Sequence, residues 1–147
     1  MKYYIIAGEA SGDLHASKLM SGIKANDPQA EFRCWGGEKM QDAGGTVVKH
    51  YHELAFMGFT EVILNIRTIY RNIHFCKEDI LQWKPDAVIL VDYPGFNMRI
   101  AEFAKARGFK VYYYIAPQVW AWKKHRVHQL HRNTDLTFVV MPFAVGF

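Results

Sequence analysis

Ala87-Val88-Ile89-Leu90-Val91 is followed at once by Asp92-Tyr93-Pro94-Gly95-Phe96-Asn97. Five apolar residues without a charge read as a strand buried on both faces, as in a parallel sheet. A proline beside polar groups then breaks the run. The pattern recurs downstream: an apolar stretch over 110–116 leads into Pro117-Gln118-Val119-Trp120-Ala121-Trp122. Loops at the carboxyl ends of parallel strands open into the ligand crevice of an α/β protein. Both breaks are therefore candidate site loops.

Working outward, strands are expected at 2–7, 31–35, 46–50, 86–91, 110–116 and 135–140. Helices are expected at 14–25, 38–43, 59–83 (broken once), 98–107 and 120–132. Gly8 to Asp13 reads as a turn, with Ser11 or Asp13 free to cap the helix after it. Gly44-Gly45 and Gly108 stop two helices, and Pro85 ends another. Strands alternating with helices imply right-handed crossovers and a mostly parallel sheet with helices on both faces. The predicted class is α/β, one Rossmann-like domain over 1–147. The chain reads as half of a larger protein whose partner domain lies outside it.

Half of the 147 residues are hydrophobic and 22% are charged, which suits a globular domain. The net charge is +4, and Lys123, Lys124, Arg126 and Arg132 account for it within one acid-free stretch that also holds His125, His128 and His131. Such a stretch suits phosphate, nucleic acid or an anionic membrane surface, or is simply a solvated helix face. The three histidines lie on one side of a helix without metal-ligand spacing. Cys34 and Cys76 are the only cysteines. Their separation suits a reducing cytosol and gives a zinc site no support. The apolar run at the amino terminus is too short for a signal-peptide core, and none approaches a membrane span.

Several residues carry candidate chemistry. Asp92 ends an apolar strand, where partial desolvation raises a carboxylate's basicity into the range of a general base; the same residue type also caps turns. Gln118 between Pro117, Trp120 and Trp122 combines an amide with aromatic faces that stack on sugars or pack in cores. Glu61 lies in a run from Met57 to Leu64 that is apolar apart from it and Thr60, and that lines an acyl groove or forms a core helix. Gly8 and Gly12 lack dinucleotide-fingerprint spacing, and no P-loop lysine follows. With Glu9 and Asp13 both acidic, the first loop suits a sugar hydroxyl or a plain turn better than a diphosphate.

Read together, five motifs resemble the lipid-A-disaccharide synthase family in order along the whole chain. They are Ala7-Gly8-Glu9-Ala10-Ser11-Gly12-Asp13; Gly36-Gly37-Glu38-Lys39-Met40 with Gly44; Glu53-Leu54-Ala55-Phe56-Met57-Gly58 with Glu61-Val62; Asp92 to Asn97; and Pro117 to Trp122. The resemblance implies the amino-terminal, acceptor-side half of a two-domain GT-B glycosyltransferase. The family is inverting and joins UDP-2,3-diacylglucosamine to 2,3-diacylglucosamine 1-phosphate. It gives a β-1,6-linked disaccharide phosphate and UDP, at the cytoplasmic face of the inner membrane of Gram-negative bacteria.

The roles follow from that resemblance. Asp92 is the catalytic base. Ser11, Gly12, Met57, Gly58, Glu61, Asn97, Gln118 and Trp120 contact substrate or shape the cleft. Lys123, Lys124, Arg126 and Arg132 meet phosphate or an anionic membrane surface. No metal, cofactor or nucleic acid is expected. A homodimer is compatible with the resemblance, and the chain alone is expected to be inactive without its carboxyl-terminal UDP-sugar domain. Ala144 departs from the family's usual glutamate. The rival readings are another two-domain sugar-nucleotide enzyme, such as an epimerase, and a non-catalytic nucleotide- or nucleic-acid-binding module. The second rival requires binding that falls steeply with salt.

Overall fold

A computed structural model describes residues 1–54, 66–115, 132 and 134–139. Strands β1 (Lys2–Ala7), β2 (Glu31–Gly36), β3 (Thr46–His50), β4 (Ala87–Val91), β5 (Lys110–Ile115) and β6 (Leu136–Val139) form one sheet in the order β3-β2-β1-β4-β5-β6. Every neighbouring pair is parallel. This is the doubly wound Rossmann order, whose direction of winding reverses between β1 and β4. The predicted strands agree with the observed ones to within a residue at each end.

Helices α1 (Ala10–Asn26), α2 (Glu38–Asp42), α3 (Ile66–Trp83) and α4 (Pro94–Ala106) connect them, with a 3₁₀ turn at Tyr51–Leu54. Two starts differ from the sequence reading. α1 begins at Ala10, so only Gly8 and Glu9 form the turn, and neither Ser11 nor Asp13 caps it. α4 begins at Pro94, four residues early, because proline at the first helical position is preset in φ and has no amide to satisfy. Gly44 and Gly108 end α2 and α4 with φ of +102° and +86°, as helix-stopping glycines do.

Period-two alternation in the strands divides the core into two layers. Tyr4, Ile6, Val88, Leu90, Val111 and Tyr113 point towards α3 and α4. Ile5, Ala7, Cys34, Ile89 and Val91 point towards α1 and α2. The aromatic run in β5 obeys the same rule, with Tyr113 fully buried and Tyr112 and Tyr114 on the opposite layer. Cys34 and Cys76 are free thiols in opposite layers, and burial pushes the Cys34 thiol up to about 12.

The α3 layer contains a closed polar network. Asp79 accepts from Arg33 Nε at 2.7 Å, Arg33 Nη2 at 2.8 Å and the Tyr4 hydroxyl at 2.7 Å, and Trp35 Nε1 donates to that hydroxyl at 2.8 Å. A buried charge is tolerated when it is paired and fully hydrogen-bonded. The network fixes α3 in register against β1 and β2, so α3 delivers its amino-terminal half to the carboxyl edge of the sheet.

Candidate functional site

The crevice at the β1/β4 reversal is built from two strand ends and two helix starts. β1 ends in Gly8-Glu9, and β4 ends in Asp92-Tyr93. Asp92 and Tyr93 adopt φ of +46° and +52°. A left-handed conformation costs a non-glycine residue about 1–2 kcal/mol, and two in succession need external support. Asp92 N–H donates to Tyr114 O at 2.9 Å, and Asn97 N–H donates to Tyr93 O at 2.9 Å. The Asp92 carbonyl accepts from Asn97 Nδ2 at 2.9 Å and from the Tyr113 hydroxyl at 2.7 Å. Each such bond contributes about 0.5–1.5 kcal/mol net, enough together to hold the turn.

Tyr93 is wedged in place by a glycine. Its ring lies against the α-carbon of Gly8, where an added Cβ would stand 2.4 Å from the ring carbons. On its other side it stacks on Phe96 at 5.6 Å. The first motif's glycine therefore exists for the fourth motif's tyrosine.

The turn leaves Asp92 half-buried beside Glu9 and His15. Burial, and then the negative charge of Glu9, raise the Asp92 carboxyl above the usual aspartate range; the Tyr93 backbone N–H and His15 oppose this. The same neighbour and burial raise the Tyr93 phenol. His15 lies 6.4 Å from the Tyr114 ring between centroids. Chemically, this is a carboxylate more basic than an ordinary aspartate, at the edge of the crevice.

The remaining expected site residues divide sharply. Ser11 is exposed and donates to Glu9 Oε1 at 3.1 Å. Gly12 is buried, and an added Cβ would stand 3.2 Å from Ala7 Cβ, so it serves close packing of α1 on β1. Asn97 is fully buried beneath the turn rather than on its surface. Arg132 is exposed. Met57, Gly58, Glu61, Gln118, Trp120, Lys123, Lys124 and Arg126 lie outside the described residues.

Asp13 has a different task from the one its position in the loop suggested. It is 2% exposed, and it accepts from the backbone N–H groups of Gly37 at 2.8 Å, Met40 at 3.1 Å and Lys39 at 3.2 Å. It caps α2, not a sugar. Gly36 and Gly37 have no room for a Cβ against Met40, Tyr51 and this carboxylate. The roles of His15, Tyr93 and Tyr113 were not read from the sequence; for Tyr113 the signal was its inward place in the alternating aromatic run.

Beside the same turn opens an apolar groove of about 350 Å³. Leu54, Ile66, Ile69, Tyr93 and Phe96 line it, and Arg99 stands at its side with the guanidinium 5.6 Å from the Tyr70 ring. Ile66 and Tyr70 are half exposed, at 49% and 53%. Among the described residues no helix is long and apolar enough to cross a membrane.

The family model for lipid-A-disaccharide synthetase matches residues 3–147. The chain belongs to that family. Lipid-A-disaccharide synthases from Geobacter metallireducens and Nitrosococcus oceani are 46% and 43% identical over 143 residues, covering 97% of this chain and 37% of each relative. The chain thus spans little more than a third of the length of these lipid-A-disaccharide synthases. The solved UDP-GlcNAc 2-epimerase from Neisseria meningitidis, bound to UDP-GlcNAc, superimposes with a TM-score of 0.62 at 10% identity, covering 95% of this chain and 40% of that one. That likeness concerns the fold alone. In this member of the lipid-A-disaccharide synthetase family, the first motif packs against the fourth through the Gly8–Tyr93 wedge and against the second through the Asp13 cap.

Proposed function

We propose that this chain is the acceptor-side domain of an inverting glycosyltransferase that makes the lipid A disaccharide. The donor would be UDP-2,3-diacylglucosamine and the acceptor 2,3-diacylglucosamine 1-phosphate. Asp92 takes the proton from the acceptor's 6-hydroxyl as that oxygen attacks the donor's anomeric carbon. The carbon–oxygen bond to UDP breaks with inversion, and UDP departs with the electron pair. The raised basicity of Asp92 at the β1/β4 crevice carries this reading, because a base is most effective near its working pH.

The apolar groove beside Tyr93 supports an acylated acceptor, since an acyl chain buries far more apolar surface against its aliphatic wall than a bare sugar does. Half-exposed Ile66 and Tyr70 support contact with a lipid surface, and the basic stretch at Lys123, Lys124, Arg126 and Arg132 supports an anionic one at the inner face of the inner membrane. A second domain supplies the UDP-sugar site.

Asp92→Asn in the full-length natural protein tests the assignment. Turnover of the two diacyl sugars should fall by about a thousandfold or more with folding intact. Turnover within tenfold of the parent removes Asp92 as the base.

A further inference from the structure

Aspartate tolerates the left-handed region better than most residues, but two successive left-handed residues, the second a tyrosine, need more than residue type to hold them. Two donors from different elements converge on one atom there, the Asp92 carbonyl oxygen. Asn97 Nδ2 reaches it from the first turn of α4, and the Tyr113 hydroxyl reaches it from β5. Together they occupy both lone pairs of that oxygen.

The Asn97 amide is committed to this task. Its Nδ2 also points at Ile6 O and Val91 O at 3.3 and 3.4 Å, so the nitrogen faces three backbone carbonyls at the ends of β1 and β4. Its Oδ1 is buried without a hydrogen-bond partner among the described residues. An orphaned buried oxygen is unfavourable, and the amide accepts it in placing its donor end among the carbonyls. Flipping the amide would set that oxygen against the carbonyls. Leucine would fill the space and donate nothing.

We propose that Asn97 and Tyr113 form a main-chain latch on Asp92, fixing its left-handed backbone and thereby the direction of its carboxylate. Both are positioning residues, and the proposal rests on the reading of Asp92 as the base. The carboxylate faces Glu9 from the β1–α1 turn, His15 from α1 and the Tyr93 N–H from its own turn, while β5 contributes Tyr113 and Tyr114. Releasing the latch swings the carboxylate away from Glu9 and towards water.

Tyr113→Phe in the full-length protein removes one oxygen and keeps the ring in the core. The expected result is a fall in kcat of about tenfold or more, with KM for both sugars held within about twofold. The acid limb of the pH–rate profile should move to lower pH. In parallel, carbon-13 NMR of labelled aspartate, assigned by the signal missing from Asp92→Asn, should show the Asp92 titration moving down towards the ordinary range. A merely structural tyrosine would lower the unfolding temperature and leave both profiles in place. Asn97→Ser, with a shorter donor, takes the same readouts if Tyr113→Phe does not fold. A folded variant with parental kcat and parental Asp92 titration overturns the latch. Absence of disaccharide synthesis in the parent protein overturns the functional reading instead, and the carboxyl titration still decides the latch.

Discussion

Asp13→Ala separates a structural role for the first motif from a catalytic one. The carboxylate satisfies three backbone N–H groups at the start of α2, at 2.8, 3.1 and 3.2 Å, from a side chain that is 2% exposed. Hydrogen bonds to a charged group are worth about 1.5–3 kcal/mol each, and stranded buried donors lose that support without water replacing it. The three share one carboxylate and α2 has only five residues, so partial relaxation is expected. We place the total at about 3–4 kcal/mol, below the simple sum, because effects in contact are not additive. For a chain of this size that lowers the unfolding temperature by about 10 °C.

Asp13→Asn provides the control. Oδ1 alone serves Gly37 and Met40, so an asparagine keeps those two bonds and sets its amide against Lys39 N–H. Its cost should be about half that of alanine. Thermal unfolding followed by circular dichroism reads both. An alanine variant within about 2 °C of the parent, or an asparagine variant as damaged as the alanine one, refutes the cap.

Two further outcomes follow from the crevice. Gly8→Ala places a methyl 2.4 Å from the Tyr93 ring; it should destabilise by about 1–3 kcal/mol and, in the full-length protein, depress the proposed transferase activity well beyond the folded fraction lost, and a variant with parental melting and turnover contradicts the wedge. Asp92→Asn should also change the pH dependence of stability. A carboxyl raised in the folded state ionises first in the unfolded chain, so stability is lost as pH rises from the ordinary aspartate value, about 3.9, to the higher folded one. Asparagine escapes that loss, so the variant should melt above the parent at pH 7 and level with it near pH 3; a gap equal at both values is the contrary result.

The sheet was legible because its central strands β1 and β4 are apolar runs that end at glycine or proline, and parallel burial on two faces leaves little else for Ala87–Val91 to do. Helix starts were less legible. The expected rule gave Asp13 to its own helix, whereas tertiary packing gave it to α2, across 24 residues to Gly37. The position of the proposed base stands out in the sequence because Asp92 is the first polar residue after an apolar strand. The conformation of its turn does not, because left-handed Asp92-Tyr93 depends on Gly8, Asn97 and Tyr113, which meet only once three strands are paired. Local propensity cannot report a contact made by distant residues.

The order of the sheet also sets a timetable for the nascent chain. β1 is central, yet its second neighbour pairs Tyr3 with Ala87, while β2 pairs Tyr3 with Phe32. At a synthesis rate of about 5–20 residues per second, several seconds separate completion of β2 from completion of β4. Throughout that interval, the Tyr4-Ile5-Ile6 backbone offers an unpaired edge of the most aggregation-prone kind. Quality-control factors that shield growing chains would find their target here, and slowing translation between codons 36 and 91 should lower the soluble yield without altering the finished molecule.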